Sequence, residues 1–422
     1  MQRVLVLDKN KKPLMPCYPS RARELLRKKK AAVYRKYPFT IILKFREGGD
    51  VQETELKLDP GSKTTGIAVV ANFKQGRTVI WSTNLAHRGH LVRHNLEQRL
   101  AIRRARRARN TRYRQARFLN RAVPKGWLPP SLLSRVANVS TWAKRLQKAI
   151  PITSIAVETV RFDMQKMQNP EISGVEYQQG KLEGYEVREY LLEKFSRTCA
   201  YCGKKEIPLQ VEHIVPKSRG GTDRVSNLTI ACEKCNLKKG TKTAEEFGHS
   251  EVQKQCLKPL KDASSVNATR YKIGEVLKEL SLPISFWSGG RTKFNRCSQK
   301  YAKDHWIDAA CIGETGEKVR IEDKLVALKI TAMGRGNRQM CLMNKYGFPR
   351  TKAKSVKSVH GFQTGDLVKA VVLKGKKKGV YKGRVAIRES GNFNIKIGKE
   401  IIQGINWKCF TKLQGIDGYS YS

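Results

Sequence analysis

Short apolar runs separated by basic turns open the chain. Val4 to Leu7 reads as a strand, a turn and Pro13-Leu14-Met15-Pro16 follow, and Ser20 is placed to cap a helix through Leu25 and Leu26. Phe39 to Leu43 reads as a second strand that Gly48 and Gly49 end. The pattern next predicts a strand meander over Glu55–Leu58, Gly66–Ala71 and Thr78–Ser82, with Gly and Lys turns between. From His90 to Val123 there is no Gly and no Pro, and Leu96 and Leu100 lie four apart. That predicts one long helix, ended by Pro124 and Pro129-Pro130. A helix over Ser131–Ala149 and a strand over Ser154–Glu158 come next. Beyond a cysteine-rich segment, the pattern predicts a helix over Asp262–Leu280, a strand over Ile284–Phe286 and a helix over Asp304–Ile312. The C-terminal segments Asp366–Lys374, Val380–Arg388, Phe393–Ile397 and Asn406–Leu413 alternate apolar and polar residues between Gly-rich turns. They predict a small β-barrel with a basic surface. The whole is a multidomain chain of mixed α+β and α/β character.

Charge changes this picture from architecture to partner. The 422 residues hold 84 Lys plus Arg against 36 Asp plus Glu, a formal net charge of +48 spread along the chain. A compact body with that self-repulsion needs a polyanion, and nucleic acid fits best. The predicted long helix concentrates the effect. Arg93, Arg99, Arg103, Arg104, Arg106, Arg107, Arg109, Arg112, Arg114, Arg117 and Arg121 share it with one acidic residue, Glu97. Such a helix is too charged to be buried in protein alone. No apolar run reaches the ~18 residues that a membrane span needs, and Met1 to Pro13 lacks a signal-peptide pattern. The expectation is a soluble, cytoplasmic protein.

Of ten cysteines, four form two pairs, Cys199-Ala-Tyr-Cys202 and Cys232-Glu-Lys-Cys235. Two such knuckles supply four thiolates for a tetrahedral structural zinc ion. They bracket Glu212-His213-Ile214-Val215-Pro216, Gly220-Gly221 and Asn227-Leu228, and run into Asn236-Leu237-Lys238-Lys239-Gly240. A neutral imidazole can take a proton from water near neutral pH, and a hard cation on oxygen ligands can stabilise a phosphoryl transition state. The set resembles the HNH endonucleases, in the variant with Asn at the third position. The resemblance implies a ββα fold clamping one divalent metal. It makes His213 the general base, Glu212 and Asn236 the metal ligands, and Asn227 the brace of the loop. Glu212 stands where many relatives carry Asp.

Three carboxylates lie far apart in the chain. Asp59 ends an apolar strand and precedes Pro60-Gly61-Ser62, Glu158 ends another, and Asp308 follows His305 by three residues on a predicted helix. Singly, each also fits a turn cap, a solvated strand end or a helix surface charge. Together they resemble the three split segments of a RuvC-type nuclease with a ribonuclease-H-like fold. That resemblance implies that Asp59, Glu158 and Asp308 hold two Mg2+ or Mn2+ ions and that His305 activates water or relays a proton.

The order of these parts resembles the IscB family, transposon-encoded relatives of the large single-protein CRISPR nucleases. The parts are a PLMP-containing start (1–50), a first RuvC segment (51–92), an arginine-rich bridge helix (93–123) and a second RuvC segment (124–172). A linker and HNH domain (173–245), a third RuvC segment (246–330) and a β-rich domain (331–422) follow. The resemblance implies an RNA-guided endonuclease that cuts double-stranded DNA. In it, the HNH centre cuts the guide-paired strand, the RuvC centre cuts the displaced strand, and the C-terminal domain meets a target-adjacent motif. The implied partners are a large structured guide RNA and target DNA, around one protein copy. Two alternatives remain open from sequence: an unguided HNH/RuvC endonuclease, and a nonenzymatic RNA-binding protein.

Overall fold

The structure is a computed structural model and describes residues 2–109, 126–159, 185–205, 207–257, 261–323, 325–334, 341, 344–346, 348–352, 356–398 and 400–422. It forms two compact units, Met1–Glu158 with Glu275–Ser422, and Thr159–Gly274.

In the first unit, strands β1 (Val4–Leu7) and β2 (Pro13–Cys17), helix α1 (Pro19–Arg27), and strands β3 (Ala31–Arg35) and β4 (Thr40–Leu43) make a four-stranded sheet in the order β2-β1-β4-β3. Val4, Val6, Leu14, Leu25, Ile41 and Leu43 are its core. Helix α1 starts at Pro19 and not under a Ser20 cap, because proline presets the helical φ and lacks only an N–H that has no partner at that position. Pro13 to Cys17, which the sequence left without an assigned element, is a strand: its Leu14 and Pro16 are buried while their neighbours are not, a two-residue period that the prolines mask.

The second sheet carries the site. Strands β5 (Thr54–Pro60), β6 (Thr64–Phe73) and β7 (Gly76–Ala86) form an antiparallel meander. Helices α2 (Gly89–Ala108) and α3 (Pro130–Gln147) lead to β8 (Ser154–Glu158), which returns parallel to β5. The second unit then intervenes, with α4 (Tyr185–Lys194), β9 (Leu209–His213), β10 (Leu228–Cys232), α5 (Glu233–Lys239) and α6 (Ser250–Leu257). The chain passes through α7 (Lys261–Lys278) to β11 (Ile284–Trp287), parallel to β8, and on to α8 (Gly289–Ser298) and α9 (His305–Ala310). Strands β12 (Val319–Arg320) and β13 (Leu328–Ala332) join β7, and the last strand, Tyr419–Tyr421, closes the order β11-β8-β5-β6-β7-β13 at its far edge. Leu56, Leu58, Ile67, Val69 and Ile80 are fully buried. Both faces of the meander are covered, so its strands read as apolar runs.

The C-terminal region departs from expectation. Strands Leu367–Val372, Gly379–Ala386, Asn392–Ile397, Glu400–Asn406 and Phe410–Gln414 form one antiparallel sheet in a linear order, with Glu400–Asn406 and Phe410–Gln414 at the two edges. No ladder joins these edges among the described residues, so the expected barrel is an open sheet. Phe362 packs on Phe393 and Phe410 over its inner face. Among the described residues, no helix is long and apolar enough to cross a membrane.

Candidate active sites

The carboxylate centre sits at one end of the meander. Asp59 lies opposite Gly66 in the β5–β6 ladder, and Glu158 follows Val157, which pairs with Leu58. Neighbouring strands therefore end in Asp59 and Glu158 side by side. Arg135 of α3 donates to the carbonyl of Pro60 at 2.7 Å and fixes the turn after Asp59. Helix α9 lies across β6 so closely that a Cβ on Gly66 would sit 1.9 Å from the His305 carbonyl oxygen. Only glycine permits that approach.

Both ends of α9 are tied to the sheet. At its start, Asn84 of β7 accepts from the Trp306 N–H at 3.0 Å and donates to Asp304 at 2.7 Å. At its end, buried Lys57 of β5 donates from Nζ to the carbonyls of Ala310 at 3.2 Å and Ile312 at 2.8 Å. Burial pulls the Lys57 ammonium down to about 8, with Glu55 opposing. The sequence reading did not single out Lys57, because its partners lie in another segment.

His305 Nδ1 stands 3.6 Å from Asp59 Oδ2. The Asp59 carboxylate holds this imidazole above its ordinary range, against the effect of burial. Asp308 is also in the site, but its Oδ1 lies 2.7 Å from Nε of Arg296 on α8. Among the described residues, the only set of three or more metal-ligating side chains within 4.8 Å of one another is the cysteine set. Asp59 and Glu158 stand on neighbouring strands, and among the described residues they and Asp308 do not form a compact ligand set of that kind. Carboxylate oxygens are the ligand type that hard divalent ions take.

The second unit holds the histidine motif. Strands β9 and β10 pair antiparallel, with His213 opposite Leu228 and Glu212 opposite Thr229, and α5 follows at once. Asn227 accepts from the Val215 N–H at 2.9 Å and donates to the carbonyls of Val215 at 3.0 Å and Thr222 at 2.9 Å. It braces the loop between the strands. Gly221 is confined there, since a Cβ would lie 1.8 Å from the Val215 carbonyl. His213 Nε2 meets Asp223 Oδ1 at 2.8 Å, an orienting partner that the sequence reading did not single out.

Glu212 is placed differently from a free ligand. It is buried, with Oε2 accepting from Tyr201 Oη at 2.6 Å and Oε1 paired to Lys239 Nζ at 2.5 Å. Lys239 also donates to the His213 carbonyl at 2.8 Å. A glutamate is one methylene longer than the aspartate of many relatives, and here it spends that reach on the interior. As placed, each oxygen of Glu212 already has a partner, and the Lys239 ammonium would compete with an ion there. Asn236 donates to Gln210 Oε1 at 3.0 Å.

Cys199, Cys202, Cys232 and Cys235 bring their four sulfur atoms within 4.8 Å of one another. Burial pushes the Cys199 thiol up, but N–H groups of Cys202, Cys232 and Tyr201 outweigh it and bring it down to about 7. Burial and the neighbouring thiols push Cys235 up to about 12. Four clustered thiols that cannot all ionise unaided are the donor set that a thiophilic divalent ion satisfies.

Helix α2 buries no residue. It carries Arg93, Arg99, Arg103, Arg104, Arg106 and Arg107, with Arg109 at its end donating to the Tyr346 carbonyl. Arg112, Arg114, Arg117 and Arg121 lie outside the described residues.

Residues 4–180 match the RRXRR protein family and residues 199–251 the HNH endonuclease family. The two matches support an IscB-like RuvC/HNH nuclease related to Cas9. Solved structures of Streptococcus thermophilus Cas9 in complex with the GGAA and AGAA PAMs are 12% identical over 61% of this chain and 32% of theirs, at TM-scores of 0.22 and 0.21. The Type II-C Cas9 enzyme from Actinomyces naeslundii is 17% identical over 44% of this chain and 29% of its own, at a TM-score of 0.15. The chain thus spans about a third of the length of these proteins, and no site residue rests on the likeness. No curated protein matches.

Proposed function

We propose that this IscB-like chain cuts double-stranded DNA at a site chosen by a guide RNA, with one centre for each strand. The observation that carries the reading is the nesting of the two centres. Strands β8 and β11 are hydrogen-bonded neighbours in the sheet that holds Asp59 and Glu158, yet the unit Thr159–Gly274 with the histidine motif is inserted between them. The order β11-β8-β5-β6-β7, a three-strand meander with two parallel strands beside its first, supports a ribonuclease-H-like core split by that insertion. Exposed α2 supports RNA binding through phosphates.

In the inserted centre His213 takes a proton from water while Asp223 orients the ring and Asn227 holds the loop. In the carboxylate centre Asp59, Glu158 and Asp308 would hold Mg2+ or Mn2+, and His305 moves the proton beside Asp59. Bound divalent ions would supply the charge that stabilises the phosphoryl transition state. The four cysteines would hold zinc and keep β10 and α5 in register with β9. The reading keeps Asn236 as a metal ligand, and Glu212 once Lys239 gives way.

Protein stripped of RNA should cut a matched duplex poorly, and the copurifying RNA should restore cutting where its variable part pairs. Replacing Arg103, Arg104, Arg106 and Arg107 should weaken RNA binding and flatten its salt dependence by a slope of ~0.7–0.9 per lost contact. Sequence-matched cutting without RNA would favour an unguided nuclease, and RNA binding without any cutting a nonenzymatic protein.

A further inference from the structure

One cation in the carboxylate centre has no part in the mechanism above. Arg296 lies near the end of α8, and α8 is anchored firmly. Ser288 accepts from the Arg291 N–H at its start. Fully buried Asn295 donates to the carbonyls of Cys311 at 2.9 Å and Gly313 at 2.7 Å, just beyond α9. Gln299 donates to the Gly316 carbonyl at 2.8 Å and accepts from the Val319 N–H at 2.7 Å. Arg296 NH1 donates to the Tyr301 carbonyl at 3.1 Å. These bonds leave the guanidinium little freedom, and they aim its Nε at Asp308 Oδ1, 2.7 Å away. The two side chains are only 12% and 16% exposed, so solvent screens the pair weakly. The Nε–H does not meet the geometry of a hydrogen bond, so the attraction there is mainly charge on charge. Lys57 is turned to the carbonyls at the end of α9, and Arg135 donates to the Pro60 carbonyl after Asp59.

We propose that Arg296 is a positioning residue: it serves as the counter-ion that holds Asp308 in the metal-free centre and sets how much divalent metal the centre needs. This rests on the reading of Asp59, Glu158 and Asp308 as a metal-dependent nuclease centre. Three carboxylates at one sheet end repel each other, and a fixed guanidinium offsets part of that repulsion. An arriving divalent ion takes over the same task and meets the guanidinium as a like charge. In this weakly screened place the two cations compete. Removing the guanidinium therefore tightens metal binding, although it frees Asp308 from its hold. An arginine that only packed α8 on α9 would not change metal affinity in that direction.

The test uses the full-length protein as wild type, Arg296→Gln, Arg296→Lys, Asp308→Asn and Asp59→Ala. Mn2+ binding is followed by the paramagnetic signal of the free ion. Both strands of a guide-matched duplex are end-labelled and cut over a range of Mg2+ concentrations. Arg296→Gln should bind Mn2+ on the order of tenfold more tightly, and its displaced-strand cut should reach half-maximum at correspondingly lower Mg2+. Arg296→Lys keeps the charge on a shorter, non-planar head that sits farther from Asp308, so it should tighten binding about two- to threefold. The Mg2+ dependence of the guide-paired strand should not move in either variant. Wild-type or weaker Mn2+ affinity in both variants overturns the proposal, and Arg296→Lys decides alone if Arg296→Gln does not fold. If Asp308→Asn and Asp59→Ala leave Mn2+ binding and both cuts as in wild type, the nuclease reading of the centre fails instead.

Discussion

Lys57 shows how one side chain can hold a helix from behind, here the one that carries His305 and Asp308. Its Nζ serves the carbonyls of Ala310 and Ile312, which the end of α9 leaves without helical partners. Arg or Lys near a helix C-terminus is a familiar pairing on a surface, but here it comes from the strand below and is fully buried. Lys57→Met should leave both carbonyls unpaired and cost ~1–3 kcal/mol of stability, read by thermal or denaturant unfolding. The pH dependence carries a second signature. Burial lowers this lysine to about 8 from an ordinary value of 10.5. Below about 8 both folded and unfolded chains are protonated, so the burial cost is present in full. Between about 8 and 10.5 the unfolded chain binds more protons, so rising pH relieves the cost and stabilises the fold. Wild type should therefore gain stability relative to Lys57→Met across that window. Parallel pH profiles for the two proteins would remove Lys57 from this account.

At the level of elements, the centre depends on how closely α9 can lie on the meander. Gly66→Ala would drive a Cβ into the His305 carbonyl, and backbone cannot swing aside as a side chain can. Such overpacking costs ~1–3 kcal/mol and shifts the helix. The displaced-strand cut should fall sharply while the guide-paired cut persists, as end-labelled products would show; equal loss of both cuts would mean general unfolding. The meander, β8, α3, α7 and α9 were legible in the sequence, the strands as apolar blocks and the helices as stretches that no proline interrupts. Others were not, among them α8 (Gly289–Ser298), β13 (Leu328–Ala332) and two sheet-edge strands. Strand β3, Ala31-Ala-Val-Tyr-Arg35, is a sheet-edge strand with Val33 and Tyr34 exposed, so no buried face marks it. Glu400–Asn406 is an edge strand of the same kind, with only Ile405 buried. The site divides likewise. Asp59, Glu158 and His213 announce themselves by strand ends and motif spacing. Arg296, Lys57 and Asp223 do not, since each acts through a partner that only the fold brings near. Glu212 is the reverse case: its motif position is legible, but its engagement with Tyr201 and Lys239 depends on how the cysteine knuckle folds back.

At the scale of the molecule, the proposed function assigns two centres of different chemistry to two separate units of one chain. A DNA duplex offers two antiparallel strands, and one fixed site would have to reorient to cut both. Two sites, one a histidine with an orienting carboxylate and the other a carboxylate set at a sheet end, are the simpler means to a double-strand break. His213→Ala removes the proposed base of the first and leaves Asp59, Glu158, His305 and Asp308 in place. Asp59→Ala removes a carboxylate of the second and leaves His213, Asp223 and Asn227 in place. Loss of a positioned base costs about a hundredfold or more in rate. Each variant should therefore become a nickase, and the two should spare opposite strands: His213→Ala the guide-paired strand and Asp59→Ala the displaced one. The double variant should bind its matched duplex without cutting it. Strand-specific end labels with guide RNA and Mg2+ decide the matter. A single variant that still cuts both strands at the wild-type rate would show that its residue is not catalytic. Two variants that lose the same strand would show that the units do not divide the duplex between them.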